Sequence, residues 1–271
     1  MNDSTIAFIG AGNMARSLAS GLVAAGMPAS GIRASDPDAD QRARLTDLGV
    51  ATFADNDLAI AHATAVVLAV KPQMLEAVLR PLALAPGQLV ISIAAGVPLS
   101  ALAAWTPAGT PIVRCMPNTP ALLGAGITGM FANPAVTAAH RQTADAILSA
   151  AGRTLWVGEE GALDAVTAVS GSGPAYFFYL MEAMIAAGEA LGLDRADATT
   201  LTLETAYGAA RMAREGSESP ERLRANVTSP GGTTERALSI LDAADTRAVI
   251  ERAVAGAAAR ARELAEEHGR S

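Results

Sequence analysis

The stretch "TIAFIGAGNMA", residues 5–15, puts an apolar run directly before a glycine-rich turn and the start of an alanine-rich segment with helical spacing. Gly10, Gly12 and Ala15 fit the spacing G-x-G-x-x-G/A. In that pattern the first glycine makes a tight turn and the second lets the backbone approach a pyrophosphate. The small third residue lets the helix pack close to the strand. The helix start then offers free N–H groups to the phosphates. A structural glycine turn would also account for the glycines. The strand–turn–helix setting, with more strands following, favours a dinucleotide.

Working outward, short apolar runs recur at Thr5–Gly10, Ile32–Ser35, Ala65–Val70, Leu89–Ala94, Pro111–Met116, Ile127–Phe131 and Thr154–Val157. Several are apolar on both faces, as a sheet covered by helices on both sides requires. Helical spacing lies between them at Asn13–Ala25, Asp38–Leu48, Pro72–Leu84 and Thr137–Ala151. Such alternation predicts a parallel sheet with right-handed crossovers. Past Gly161 the strand runs stop. Leu163–Leu191 is helical in spacing but interrupted by "SGSGP" at 170–174, and Arg195–Arg214, Thr234–Leu241 and Thr246–His268 are helix-like. The expected class is α/β. An N-terminal Rossmann-type, doubly wound, mostly parallel sheet spans residues 1–160, and a C-terminal all-α domain spans 161–271. The helical half reads as a dimerisation or substrate-shaping domain.

Composition narrows the function. The chain has 271 residues, 51% hydrophobic and 17% charged, which suits a folded protein with ample core. Its net charge of −7 argues against a nucleic-acid partner, which would need a basic face. The lone cysteine, Cys115, rules out a disulfide within the chain and suits a reducing cytoplasm. The opening "MNDSTIAFIGAG" has no basic segment before its apolar run, and Gly10 and Gly12 cut that run short. Neither a signal peptide nor a membrane span is expected.

Ligands of doubly wound sheets bind beyond the carboxyl ends of the strands. The second strand ends at Ser35 and Asp36 in "RASDPDADQR", residues 33–42. An acid here would bond the ribose 2′-hydroxyl of NAD. Arg33, Arg42 and Arg44 could instead meet the 2′-phosphate of NADP, so both cofactors stay open. Lys71 and Pro72 end "AVVLAVKPQ", and Lys71 is a candidate cofactor or substrate contact. Gly96, Asn118 and Thr119 offer small polar edges at further strand ends. The three histidines, His62, His140 and His268, fall on expected surface helices outside any motif, and Cys115 reads as a buried small hydrophobe. No spacing suggests a metal site. Lys71 is therefore the only strong acid/base nearby. Reduction of a C=N bond demands less, because a cyclic imine is basic enough to arrive already protonated.

The loop "NVTSPGGTTERAL", residues 226–238, is unusually polar for a helical half. It reads as a helix start, with Gly231 and Gly232 allowing close backbone approach and Glu235 in the first turn.

Together "FIGAGNMA", "AVKPQ", "SIAAG", "RCMPNTP", "DAVTAVSGSGPAYFF" (164–178) and "VTSPGGTTE" (227–235) resemble pyrroline-5-carboxylate reductase, the last enzyme of proline biosynthesis. The resemblance implies NAD(P)H-dependent reduction of (S)-1-pyrroline-5-carboxylate to L-proline, with hydride delivered to C5 of the imine. It implies that Gly10, Ala11, Gly12, Asn13, Met14 and Ala15 hold the pyrophosphate and that Asn56 contacts the adenosine side. Ala69, Val70, Lys71 and Pro72 would line the ribose and nicotinamide, with Ile93 and Ala95 near the nicotinamide and Asn226 a further contact. Glu160, Gly231, Gly232, Thr233 and Thr234 would hold the substrate, the Thr234 hydroxyl bonding the ring nitrogen as the catalytic contact. NADPH is the expected cofactor. NADH is the alternative, because Asp36 stands where some relatives carry serine. The family's helical half forms a homodimer with interlocked helices, and members also assemble as five dimers. Two rivals stand beside this reading. A 3-hydroxyacid-type reductase would need a lysine or histidine in the helical half, where no lysine follows residue 160 and His268 is the only histidine. A non-catalytic dinucleotide sensor would bind cofactor without turnover.

Overall fold

The computed structural model describes residues 5–269. Residues 1–4, on which part of the leader reading fell, and residues 270 and 271 lie outside the described residues. The chain runs β1 (Ile6–Ile9), α1 (Asn13–Ala24), β2 (Ile32–Ser35), α2 (Ala39–Thr46), β3 (Ala51–Phe53), α3 (Asn56–Ile60), β4 (Ala65–Leu68), α4 (Leu75–Leu79), β5 (Leu89–Ser92), α5 (Leu99–Ala104) and β6 (Ile112–Met116). It continues through β7 (Gly126–Ala132), α6 (Ala138–Leu148), β8 (Gly152–Trp156), α7 (Ala162–Val166), a π-helical turn (Thr167–Gly171), α8 (Gly173–Ala190), α9 (Arg195–Glu215), α10 (Pro220–Asn226), α11 (Thr233–Ala243) and α12 (Thr246–Gly269).

All eight strands form one sheet in the order β3-β2-β1-β4-β5-β6-β7-β8. The first six are parallel, β7 is antiparallel to β6, and β8 is parallel to β7. The reversal follows from length. Residues 117–125 alone join β6 to β7, and a parallel crossover needs a dozen or more. The predicted class therefore holds, with the antiparallel strand accounting for "mostly" parallel. Strand residues alternate between two cores. Ile6 and Phe8 pack with α1 and α6, through Leu18, Leu22, Ile147 and Leu148. Ala7 and Ile9 pack with α3, α4 and α5, through Ile60, Leu75, Leu79 and Leu102. Burial of both faces is what double winding requires.

Several short elements escape the periodicity. β3, α3 and α5 have too few residues to show a period. In α10, "PERLRAN" is too charged to show an apolar stripe. The expected helix over Pro72–Leu84 is a 3₁₀ turn (Pro72–Met74) followed by α4, which ends just before Pro81. That proline disfavours helical geometry at Arg80 and beyond. The expected break at 170–174 is the π turn instead, where the Ser172 N–H donates to the Thr167 carbonyl at 2.8 Å. One extra residue per turn relieves the constraint of Pro174, which then sits early in α8 where its missing N–H is tolerated.

The chain forms two compact units. One holds the chain up to Ser172 together with the segment from Ala257 onward; the other is Gly173–Gly256. The strands stop near residue 160, but α7 and the π turn pack on the sheet. A Cβ on Gly129 would lie 2.6 Å from Val166 Cγ1, and one on Gly171 would lie 2.5 Å from Met116 Cε. The end of α12 also packs on the sheet unit. Leu264 and His268 lie against Gly96, which has φ +75°. His268 is thus in contact with a strand-end loop, where simple solvation was expected.

The second unit is helical throughout. Gly188 and Ala198 bring α8 and α9 close, a Cβ on Gly188 falling 3.0 Å from that of Ala198. Gly173, Ala198 and Thr202 are its only buried positions. By contrast Phe177, Phe178, Tyr179, Leu180 and Leu191 are exposed, Tyr179 at 76% and Leu191 at 87%. No helix among the described residues is long and apolar enough to cross a membrane.

Candidate active site

Order reverses between β1 and β4: from β1 the chain first builds outward to β3, then returns to build β4, β5 and β6 on the other side. That switch point is where doubly wound sheets open a crevice for nucleotides. Gly10 lines it. Its φ of +95° is open to glycine, and a Cβ would lie 2.9 Å from the Ala69 carbonyl carbon and oxygen at the end of β4. Its N–H donates to the Ser35 carbonyl at 2.8 Å. Gly12 is the N-cap of α1, no side chain caps that end, and a Cβ there would meet nothing within 4 Å. The first turn of α1, from Asn13 and Met14, thus begins without a side-chain cap and beside a glycine with open space around it. Ala11 and Ala15 are fully buried behind them. This cradle suits a pyrophosphate.

The adenosine side is equally organised. Ser35 is buried and its hydroxyl donates to Asn56 Oδ1 at 2.7 Å. Asp36 accepts from the Ala11 N–H through Oδ2 at 2.8 Å and from the Asp38 N–H through Oδ1 at 2.9 Å. Further along the same edge, Ala69 and Val70 are half-buried, Lys71 is exposed, and Pro72 opens the 3₁₀ turn. Ile93 is half-buried and Ala95 exposed just past β5. The sheet unit thus brings Gly10–Ala15, Ser35, Asp36, Asn56, Ala69–Pro72, Ile93 and Ala95 to the carboxyl ends of β1, β2, β4 and β5.

Asn118 has a different task. Its Oδ1 accepts from the Ile127 N–H at 3.0 Å and its Nδ2 donates to the Ser170 carbonyl at 3.2 Å. Its amide is committed at both ends, the oxygen to β7 and the nitrogen to the π turn. His140 caps α6, sharing reciprocal bonds with Thr137. Cys115 is buried, and burial pushes its thiol well above the ordinary range. Among the described residues no group of three or more His, Cys, Asp or Glu could hold a metal ion.

Arg114 was not anticipated. It sits in β6 with only 8% of its side chain exposed, and its Nη1 donates to Glu160 Oε1 at 2.6 Å. The same oxygen accepts from the Leu99 N–H at 2.8 Å, at the start of α5. Glu160 thereby ties β6, α5 and the entry to α7 together. Asp164 lies in this cluster. Its carboxyl is raised above the ordinary value by burial, against the opposing pull of Arg114 and Arg262 and with a smaller push from Glu160. An arginine inside the apolar run "PIVRCM" was the available signal. Its partner lies 46 positions away, beyond local reading. Glu160→Ala is expected to cost about 2–3 kcal/mol by leaving a nearly buried cation unpaired, read by urea denaturation of the sheet unit. Glu160→Gln, which keeps an acceptor, is expected to cost less.

In the helical unit, Asn226 ends α10 and its Nδ2 donates to both oxygens of Glu218, at 3.1 and 3.0 Å. Gly231 has φ +70° and its N–H donates to Glu235 Oε2 at 2.8 Å. Gly232 is the N-cap of α11, again without a side-chain cap, and Thr233 and Thr234 form the first turn. The loop is a helix start with open N–H groups and two hydroxyls, which can hold a carboxylate and one further polar atom.

Residues 160–264 match the family model described as pyrroline-5-carboxylate reductase dimerisation. Residues 5–96 match that described as NADP oxidoreductase coenzyme F420-dependent. The pyrroline-5-carboxylate reductase of Pseudomonas aeruginosa is 53% identical, over 99% of this chain and 100% of its own. The chain belongs to the pyrroline-5-carboxylate reductase family. The solved structure of the Coxiella burnetii pyrroline-5-carboxylate reductase superposes with a TM-score of 0.93 at 42% identity, covering 97% of this chain and 99% of that one. A Plasmodium falciparum pyrroline carboxylate reductase solved with NADP bound gives 0.85 at 28% identity, covering 98% and 99%. As a member of this family the chain is an NAD(P)-dependent oxidoreductase. Its helical part carries the family's dimerisation region, and a homo-oligomer accounts for the apolar surface of α8.

Proposed function

We infer that this protein reduces (S)-1-pyrroline-5-carboxylate to L-proline with NAD(P)H. The family supplies the substrate. The cofactor rests on one observation above the rest, the glycine cradle at the switch point with the uncapped start of α1 beside it. The bound cofactor supplies a hydride to C5 of the protonated cyclic imine, the C=N bond becoming the secondary amine of proline. No strong general acid is then needed, and the residues act mainly by positioning.

We propose that residues 1–160 serve the cofactor and residues 161–271 the substrate and the dimer. The cofactor contacts are Gly10, Ala11, Gly12, Asn13, Met14, Ala15, Ser35, Asp36, Asn56, Ala69, Val70, Lys71, Pro72, Ile93, Ala95 and Asn226. The substrate contacts are Glu160, Gly231, Gly232, Thr233 and Thr234. The open N–H groups at the start of α11 support binding of the substrate carboxylate, and the Thr234 hydroxyl bonds the ring nitrogen. Glu160 keeps Oε2 for substrate while Oε1 holds Arg114 and Leu99. The assembly is a homodimer, five of which form a decamer as the resemblance implies. A single, buried cysteine supports a cytoplasmic location.

Thr234→Ala is expected to lower turnover by about 10–100-fold, the equivalent of ~1.4–2.8 kcal/mol for one transition-state hydrogen bond. NADH or NADPH oxidation followed by absorbance with pyrroline-5-carboxylate reads it. Unchanged kinetics would remove Thr234 from the site. Absence of any turnover in the unaltered protein, with nucleotide still bound, would return the sensor reading.

A further inference from the structure

The polar loop ahead of α11 closes on a four-residue turn. The Gly232 N–H donates to the Ser229 carbonyl at 3.0 Å. Pro230 stands second in this turn and Gly231, at φ +70°, third, which is the pattern of a type II turn. The middle peptide of such a turn has two settings. Types I and II differ by a rotation of that peptide, here Pro230–Gly231, through about 180°, and a glycine in third place accepts either sign of φ. The four turn residues therefore do not by themselves fix the setting.

Glu235 fixes it. Gly231 donates its N–H to Glu235 Oε2 at 2.8 Å. Rotation would turn the Pro230 carbonyl oxygen to the side of Glu235, where it would oppose a carboxylate that can only accept. An acid in this place, three residues past the N-cap Gly232, ordinarily returns to the N–H of the N-cap. Here that N–H already serves Ser229, and Glu235 reaches one residue further back, to the centre of the turn. With Gly231 and Gly232 both donating inside the loop, a ligand is offered the donors of Thr233 and Thr234 in the first turn of α11. A Pro230 oxygen turned toward that helix start would compete with the substrate carboxylate for them.

We propose that Glu235 is a positioning residue for the substrate: its carboxylate holds the Pro230–Gly231 peptide in one setting and so keeps the start of α11 open for pyrroline-5-carboxylate. The inference rests on the substrate reading of this loop and adds a residue that acts through its backbone.

The test is steady-state kinetics of the full-length oligomer with pyrroline-5-carboxylate and NAD(P)H. Glu235→Ala is expected to raise the KM for pyrroline-5-carboxylate by about 3–10-fold with kcat held, because substrate then selects a setting that is only partly populated. The sign is diagnostic. Charge alone predicts the opposite, since removing a carboxylate near the site of another would lower KM. Glu235→Gln can hydrogen-bond the peptide in either setting, so it is expected to keep thermal stability and still raise KM. Gly231→Ala acts through φ alone, because its Cβ would meet nothing within 4 Å. Combined with Glu235→Ala it is expected to raise KM by less than the product of the two single effects. KM unchanged or lowered in either Glu235 variant, or effects that multiply in full, would overturn the proposal. Impaired Thr234→Ala beside a Glu235→Ala of normal KM would remove positioning by Glu235 and leave the substrate loop standing. Thr234→Ala without effect would overturn both.

Discussion

Gly10→Val is expected to raise the Kd for NAD(P)H by at least about 100-fold, or ~2.8 kcal/mol, with far-UV circular dichroism retained. Two independent costs meet at this position. A φ of +95° is strained for any residue carrying a Cβ, at about 1–3 kcal/mol. The new Cβ would also stand 2.9 Å from the Ala69 backbone, and backbone in a central strand end cannot rotate aside as a side chain can. The turn would have to lift off β4, carrying the Ala11 N–H away from Asp36 and the start of α1 away from its phosphate. Gly12→Ala is the contrast, because its Cβ would meet no protein atom within 4 Å and its φ is −69°. Any loss there reports on the ligand alone. Fluorescence titration of both variants checks this, and normal binding by Gly10→Val would remove the cradle from the site.

The double substitution Phe178→Glu, Tyr179→Glu is expected to give a monomer whose helical unit is largely unfolded. With three buried positions, that unit has almost no core of its own. Ordering its backbone costs about 1–2 kcal/mol per residue, which internal burial on this scale cannot offset. Helix α8 is apolar around its circumference, with Phe177, Phe178, Tyr179 and Leu180 successively exposed. A helix of that kind is one that other protein covers. Helix α8 lies within the family's dimerisation region, so the expected cover is a second copy, with folding and association then one step. Two unpaired carboxylates in that interface would cost several kcal/mol. Sedimentation of the unaltered protein also reads whether two or ten chains assemble. A double variant that stayed oligomeric with full helicity would place the interface elsewhere.

What could be read ahead of the structure divides along physical lines. Gly10, Gly12 and Ala15 were legible because a strand, a turn and a helix start follow one another within a few residues. Ser35 and Asp36 were legible because the end of β2 has a fixed place in such sheets. The Arg114–Glu160 pair was not, since a buried ion pair across distant segments leaves no periodic trace. The "SGSGP" segment looked like a break because glycine and proline usually are one, yet the chain passes through it as a π turn with Gly171 packed on Met116. Asn118 looked like a ligand-facing polar group, and only three-dimensional neighbours show that both ends of its amide are spoken for. In the helical half the polar loop was read as a helix start, and α11 begins there.

The return of α12 to the sheet unit sets an order on synthesis. Gly96 and its loop pack against Leu264 and His268, roughly 170 residues later in the chain. At ribosomal speeds of about 5–20 residues per second, that interval is ~8–34 s. The eight strands can pair while the helical unit is still being made. The loop after β5 gains its backing only when α12 emerges, so a nascent chain carries a formed sheet and an unfinished rim. Completion of that rim and the search for a second copy then begin almost together, once α12 has been made.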